Sequence, residues 1–131
     1  MTADARAILM QMFSAFNQRD LEGTLEHFAP DVAWRDEATH ERRTGRLELG
    51  AYWEKAWKET DLRIAPMTID VGAGKTRARV QELAKAADGT VLVNRKLDYV
   101  FTFEGVFIAS MFADQTTIET DDQDDDNGDD E

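Results

Sequence analysis

Four side chains in this sequence carry acid–base chemistry in surroundings that would sharpen it: Asp36, Glu82, Arg95 and Tyr99. Residues 31–37 (DVAWRDE) alternate in polarity and read as a strand with Val32, Trp34 and Asp36 on one face. A carboxylate on an apolar face loses hydration, which raises a carboxyl pKa unless a cation or a hydrogen bond compensates. Such a group suits proton abstraction beside a carbonyl, provided it lies close to the carbon acid. Tyr99 alternates with Leu97, Phe101 and Phe103 on a later strand, and its hydroxyl is placed to donate to a developing enolate oxygen. Glu82 and Arg95 fall on inward faces of two strands joined at Asp88-Gly89, and are expected to face each other as an ion pair in a pocket wall. Each residue also has a structural reading. Asp36 at a rim would pair with Arg95 or a loop arginine. Tyr99 would be a core aromatic whose hydroxyl finds one partner, and a buried glutamate–arginine pair is more often structural than catalytic.

Other chemistries are excluded or unsupported. There is no cysteine, which removes disulfides, thiolate metal sites and cysteine nucleophiles. The two histidines, His27 and His40, have no neighbouring ligands at metal spacing, so neither a metal nor another cofactor is expected. Gly72-Ala73-Gly74-Lys75-Thr76 ends like a phosphate-binding loop, but Ile69 stands where the first glycine belongs, and the segment joins two strands. The net charge is -12, yet eight of the 27 acidic side chains lie in residues 121–131, leaving 19 acids against 15 bases elsewhere. That mixed body has no basic stripe for nucleic acid. No apolar run reaches the roughly 20 residues that span a bilayer. The first residues lack a signal-peptide pattern, so a cytoplasmic location is expected.

The elements that must position these residues follow from periodicity. Ile8, Leu9, Met12, Phe13 and Phe16 form one stripe of a helix over residues 4–18, capped by Asp4. A short helix follows, capped by Asp20, with Leu21, Leu25 and Phe28 on one face and Pro30 as its stop. Residues 38–45 read as a loop. Thr44 then caps a helix over 46–59 whose stripe is Leu49, Tyr52, Trp53, Ala56 and Trp57; at that spacing the aromatics read as core. From Leu62 the period becomes two, giving strands at about 62–71, 75–86, 91–103 and 106–113. Pro66 marks the first of these as an edge or bulged strand. The order predicts an α+β domain over residues 1–115, a curved, mostly antiparallel sheet wrapped around three N-terminal helices. Residues 116–131 are expected to be a disordered acidic tail.

Three runs carry a family resemblance: FNQRDLEGTLEHFAPDVAWRDEA, then TGRLELGAYWEKAW, then LDYVFTFEGVFIASM. Over about residues 6–114 the chain resembles the ketosteroid-isomerase-like and SnoaL-like proteins of the nuclear-transport-factor-2-like superfamily. The resemblance implies a cone-shaped fold with an apolar pocket. It places Asp36 where ketosteroid isomerases keep their catalytic aspartate, and Tyr99 where they keep a protonated acid of the oxyanion hole. Met12 stands where those enzymes have a tyrosine donor. The pocket is expected to be lined by Met12, Phe16, Trp34 and Trp53, and on the later strands by Glu82, Arg95, Phe101 and Met111. The implied function is cofactor-independent isomerisation, cyclisation or hydration of a small apolar or aromatic molecule. The alternative is a non-catalytic ligand-binding or assembly domain of the same fold. A homodimer through the open sheet face, with Leu92, Val100 and Thr102, is the partner the resemblance implies.

Overall fold

The computed structural model describes residues 4–36 and 41–120, with Asp36 and residues 115–120 as backbone. Helix α1 (Ala5–Asn17) starts where the Asp4 carboxylate accepts the Ala7 N–H at 3.1 Å, relieving one of the four orphan donors of its first turn. Its apolar stripe buries Leu9, Met12, Phe13 and Phe16. Asp20 caps α2 (Leu21–Leu25) in the same way, accepting from Gly23 N at 2.9 Å. Pro30 does not stop this helix, contrary to expectation. The chain turns at Glu26 and His27, and Pro30 lies inside strand β1 (Phe28–Asp36). Proline cannot donate to a ladder, and the β1 pairing slips between Phe28 and Ala33, around it.

The stretch expected to be a loop contains a second departure. Residues 37–40 lie outside the described residues, but Arg42–Thr44 form β2, antiparallel to β1 with Trp34 opposite Arg43. Three residues are too few to show an alternation, so only the neighbouring strand defines this one. Helix α3 (Gly45–Glu59) follows directly, and Gly45 takes φ 87°, a value that favours glycine. Thr44 makes no side-chain cap. Instead the Glu48 carboxylate reaches back to accept Thr44 N at 2.8 Å.

The remaining strands are β3 (Asp61–Val71), β4 (Thr76–Lys85), β5 (Val91–Glu104) and β6 (Phe107–Thr120). The six form one curved sheet in the order β2-β1-β6-β5-β4-β3, antiparallel except for β1 beside β6. Pro66 sits in the edge strand β3 beside a register shift between Pro66 and Thr68, so its missing N–H interrupts no central ladder. Strand β6 runs further than the sequence pattern suggested: backbone pairing continues to Thr120, opposite Arg95. The polar residues 116–120 therefore belong to a strand, and the acidic run 121–131 lies outside the described residues.

The core lies between the helices and one face of the sheet, where Leu9, Phe13, Phe28, Val32, Leu49, Val80, Leu97, Phe101 and Ile108 are buried. Helix α1 is also tied to the edge of β3 by hydrogen bonds. Asn17 donates to Ile64 O at 2.8 Å and accepts from Ile64 N at 2.9 Å, standing in for a neighbouring strand. Arg6 donates to Ile69 O and Arg19 to Leu62 O, both at 2.7 Å. Arg19 holds φ 64° just past α1, a conformation uncommon outside glycine; its guanidinium pairs with Asp61 and lies 5.5 Å from the Trp57 ring centroid. On the opposite sheet face, the largely buried Asp98 receives Arg77 at 2.8 Å and Arg79 at 3.2 Å. No helix among the described residues is long and apolar enough to cross a membrane.

Phe101 is fully buried, edge-on to Phe13 with ring centroids 6.2 Å apart, and joins α1 to the middle of the sheet. Phe101→Ala is expected to cost about 3–5 kcal/mol in urea unfolding at unchanged m-value. A loss under about 1 kcal/mol would mean that the α1–sheet contact is not the core's centre.

Candidate functional site

A cavity of about 890 Å³ opens between α3 and the sheet. Helix α3 supplies Tyr52, Trp53 and Ala56, while β1 supplies Trp34, β2 supplies Arg42 and Arg43, and β6 supplies Ala113. The polar wall comes from β4 and β5, as Glu82, Arg95 and Tyr99.

Strand register creates the polar wall. Glu82 lies directly opposite Arg95 in the β4–β5 ladder, and both side chains stand on the cavity face. Glu82 is 6% exposed, and Arg95 Nε donates to its Oε1 at 2.7 Å. The Tyr99 hydroxyl donates to Oε2 of the same carboxylate. A carboxylate carried into an apolar wall is tolerated only when such partners meet it. Burial pushes the Tyr99 pKa well above the usual value of 10.0, and the negative charge and hydrogen bonding of Glu82 push it further, against a smaller opposing effect of Arg95. Tyr99 therefore stays a phenol across the physiological range, with its proton committed to Glu82.

Asp36 ends β1, and its Cα lies opposite Ala113, which lies in turn opposite Tyr99. The two positions are thus two strand spacings apart, roughly 10 Å along the sheet. Ala113 between them is 2% exposed and contributes only a methyl group to the cavity floor. The Asp36 side chain lies outside the described residues, so the ladder gives its place and not its partners.

Among the other residues expected at the pocket, Trp34 and Trp53 line it together with Glu82 and Arg95. Met12, Phe16, Phe101 and Met111 do not; each is at most 1% exposed and packed in the core. For the α1 residues Met12 and Phe16 the reason is depth. Phe16 meets Trp53 edge-on at 5.2 Å and Trp57 at 5.0 Å, so α3 aromatics stand between α1 and the cavity.

Many of the lining residues were not expected from the sequence, and three of them shape the site. Tyr52, a core residue by its helical spacing, borders the cavity, its ring 5.1 Å from that of Trp34 and tilted by 40°. Ala113 carries no signal that would distinguish it from any strand alanine. Arg43 lay in the supposed loop; its guanidinium stands 4.2 Å from the Tyr52 ring centroid and 5.5 Å from that of Trp34. A reading of Arg42–Thr44 as a partner for β1 would have placed Arg43 opposite Trp34.

Residues 9–111 match the sequence model of a family described as the SnoaL-like domain. No curated protein matches the chain. Among solved structures, an NTF2-like protein of unknown function from Burkholderia pseudomallei is 21% identical, with 83% of this chain and 88% of that one covered at a TM-score of 0.72. A candidate polyketide cyclase from Sinorhizobium meliloti is 25% identical, covering 82% and 94% at a TM-score of 0.69. A candidate ketosteroid isomerase from Kribbella flavida is 17% identical, covering 82% and 74% at a TM-score of 0.69.

The raised Tyr99 pKa has a sign that can be measured. The folded state holds this proton more tightly than the unfolded chain, so the stabilisation is present below the ordinary phenol value of 10.0 and declines as pH rises beyond it toward the folded value. Near-ultraviolet absorbance titration should show a late phenolate phase that Tyr99→Phe removes. In Glu82→Gln the loss of the negative neighbour should move that phase to lower pH, while burial keeps it above the usual range. A late phase that stays put in Glu82→Gln would contradict the Tyr99–Glu82 contact.

Proposed function

The chain belongs to the SnoaL-like domain family, and from that footing we propose that it carries out cofactor-independent acid–base chemistry on a small apolar molecule held in the cavity. The observation that carries this reading is the Glu82 carboxylate, buried in the cavity wall and held by Tyr99 and Arg95. In the proposed reaction Asp36 is the general base. It takes a proton from a ligand carbon, or from a water that then adds to the ligand. Glu82 is the second proton-handling group, reached across Ala113. Two carboxyl groups reached from different positions of one ligand let a proton leave at one position and return at another, the requirement of an isomerisation, a cyclisation or a hydration.

This reading changes the part expected of Tyr99. A hydroxyl that already donates to a carboxylate is not free to donate to a ligand oxygen in the same state. Tyr99 and Arg95 are then positioning residues, which satisfy Glu82 and fix its orientation. That commitment also favours a second reading, in which the cavity binds a ligand without transforming it, and Met12 in place of a tyrosine donor points the same way. The relatives described as a cyclase and an isomerase support the catalytic version at the level of reaction class.

Phenols mimic an enolate intermediate, and a ligand that binds only the folded protein raises its stability by mass action, by about 2.7 kcal/mol at one hundred times Kd. Planar phenols are expected to raise the melting temperature of the wild type, and Asp36→Asn and Glu82→Gln should each change that rise while remaining folded. If no phenol moves the wild-type melting temperature, the proton-transfer reading fails. If both variants respond as the wild type does, the cavity is a binding site and these acids are not its chemistry.

We also propose that a second copy packs on the open sheet face around Val100 and Thr102, both half-buried; Leu92, expected on that face, borders the cavity instead. Light scattering should give twice the monomer mass, and Val100→Glu should return it to one; a monomeric wild type would remove this proposal.

A further inference from the structure

Arg43 is held in place without being used up. Its guanidinium rests on Tyr52 and Trp34, 4.2 and 5.5 Å from their ring centroids. A guanidinium has five N–H donors in its own plane, and contact with a ring face leaves those donors at its edge. Among the described residues only one hydrogen bond uses them, from Nη1 to Arg42 O at 3.3 Å, at the long end of the range. The ion pair from Nη2 to Glu41 spans 3.9 Å, too long for a hydrogen bond. The side chain is three-quarters shielded from solvent and borders the cavity, which Arg42 and Lys55 line together with the carboxylates of Glu41, Glu48 and Glu59.

The opposite wall is electrostatically complete, because the Glu82 carboxylate already has Arg95 on one oxygen and Tyr99 on the other. The mouth is the complementary case: a fixed cation with donors to spare beside two aromatic rings. A neutral apolar ligand would leave those donors facing it, whereas a carboxylate matches their fork in geometry and charge.

We propose that Arg43 forms a carboxylate subsite at the cavity mouth, so that the ligand is an apolar acid whose charged end is read there. This rests on the reading that the cavity holds a small apolar molecule, and it names the class. The ligand's body lies inward over Ala113 toward Glu82. Strands β2 and β5 are three spacings apart, about 14 Å along the sheet, which suits a two- or three-ring acid.

Isothermal titration with 2-naphthoate and with 2-naphthalenemethanol, its uncharged counterpart, tests the subsite without needing turnover. The wild type should bind the acid about tenfold or more tightly than the alcohol, with a preference that shrinks as salt is raised. Arg43→Gln should bring the ratio near one through loss of acid affinity, with the alcohol changed by less than about threefold. Arg43→Lys should keep part of the preference, since a point charge replaces the fork. Equal wild-type affinities would overturn the subsite and leave the apolar-ligand reading standing; binding of neither compound would count against both. A preference that persists in Arg43→Gln would overturn the assignment to Arg43. Circular dichroism establishes that this variant is folded. If it is not, Arg43→Lys decides: a ratio unchanged from the wild type and insensitive to salt would overturn the proposal.

Discussion

A carboxylate lowered into an apolar wall needs donors waiting for it, and the cavity is organised around meeting that need at Glu82. Its partners must arrive in phase. Arg95 stands directly across the ladder, and Tyr99, four residues further along β5, returns to the same face. Alternation in a strand delivers every second residue to one side, so a one-residue slip between β4 and β5 would carry Arg95 and Tyr99 to the far face and strand the charge. The hydrophobic register of Val80, Leu97 and Phe101 and the polar register of the site are therefore one register. Packing on the inner face fixes the polar contacts, and the polar contacts penalise any other packing.

Much of this was legible in the sequence because it rests on local periodicity. The stripe Leu9, Met12, Phe13 and Phe16 gave α1, the Asp4 and Asp20 caps appeared where expected, and Pro66 announced an edge strand with a bulge. The facing of Glu82 and Arg95 followed from counting outward from the turn at Asp88-Gly89. What escaped was set by contacts distant in sequence. Strand β2 exists because β1 offers it a partner. Pro30 looked like a helix stop because the chain's next partner, β6, lies some 80 residues away. Depth was illegible as well: nothing in a helical stripe says that α3 aromatics will stand between Phe16 and the cavity.

Helix α1 illustrates how one element serves two purposes. Its apolar stripe fills the sheet's concavity, while Arg6, Asn17 and Arg19 occupy carbonyl groups along the edge strand. An open edge is a template for pairing with other chains, and covering it with a helix is one of the ways proteins blunt it. The left-handed backbone at Arg19 is part of this arrangement: a strained residue is retained where its side chain bridges Asp61, Leu62 and Trp57.

The parallel pairing of β1 with β6 has a consequence in time. Asp36, Ala113 and Tyr99 share one rung of the sheet, yet they come from the first third and the final quarter of the chain. On a ribosome, α1, β1 and α3 emerge long before the strand that forms the cavity's floor. The nascent protein must hold Trp34 and Trp53 without that floor until Ala113 is delivered. Closing so long a loop costs chain entropy that local hairpins do not. The β3–β4–β5 meander is free to zip early, and the arrival of β6 is the step that joins the two halves and turns two partial surfaces into one open cavity.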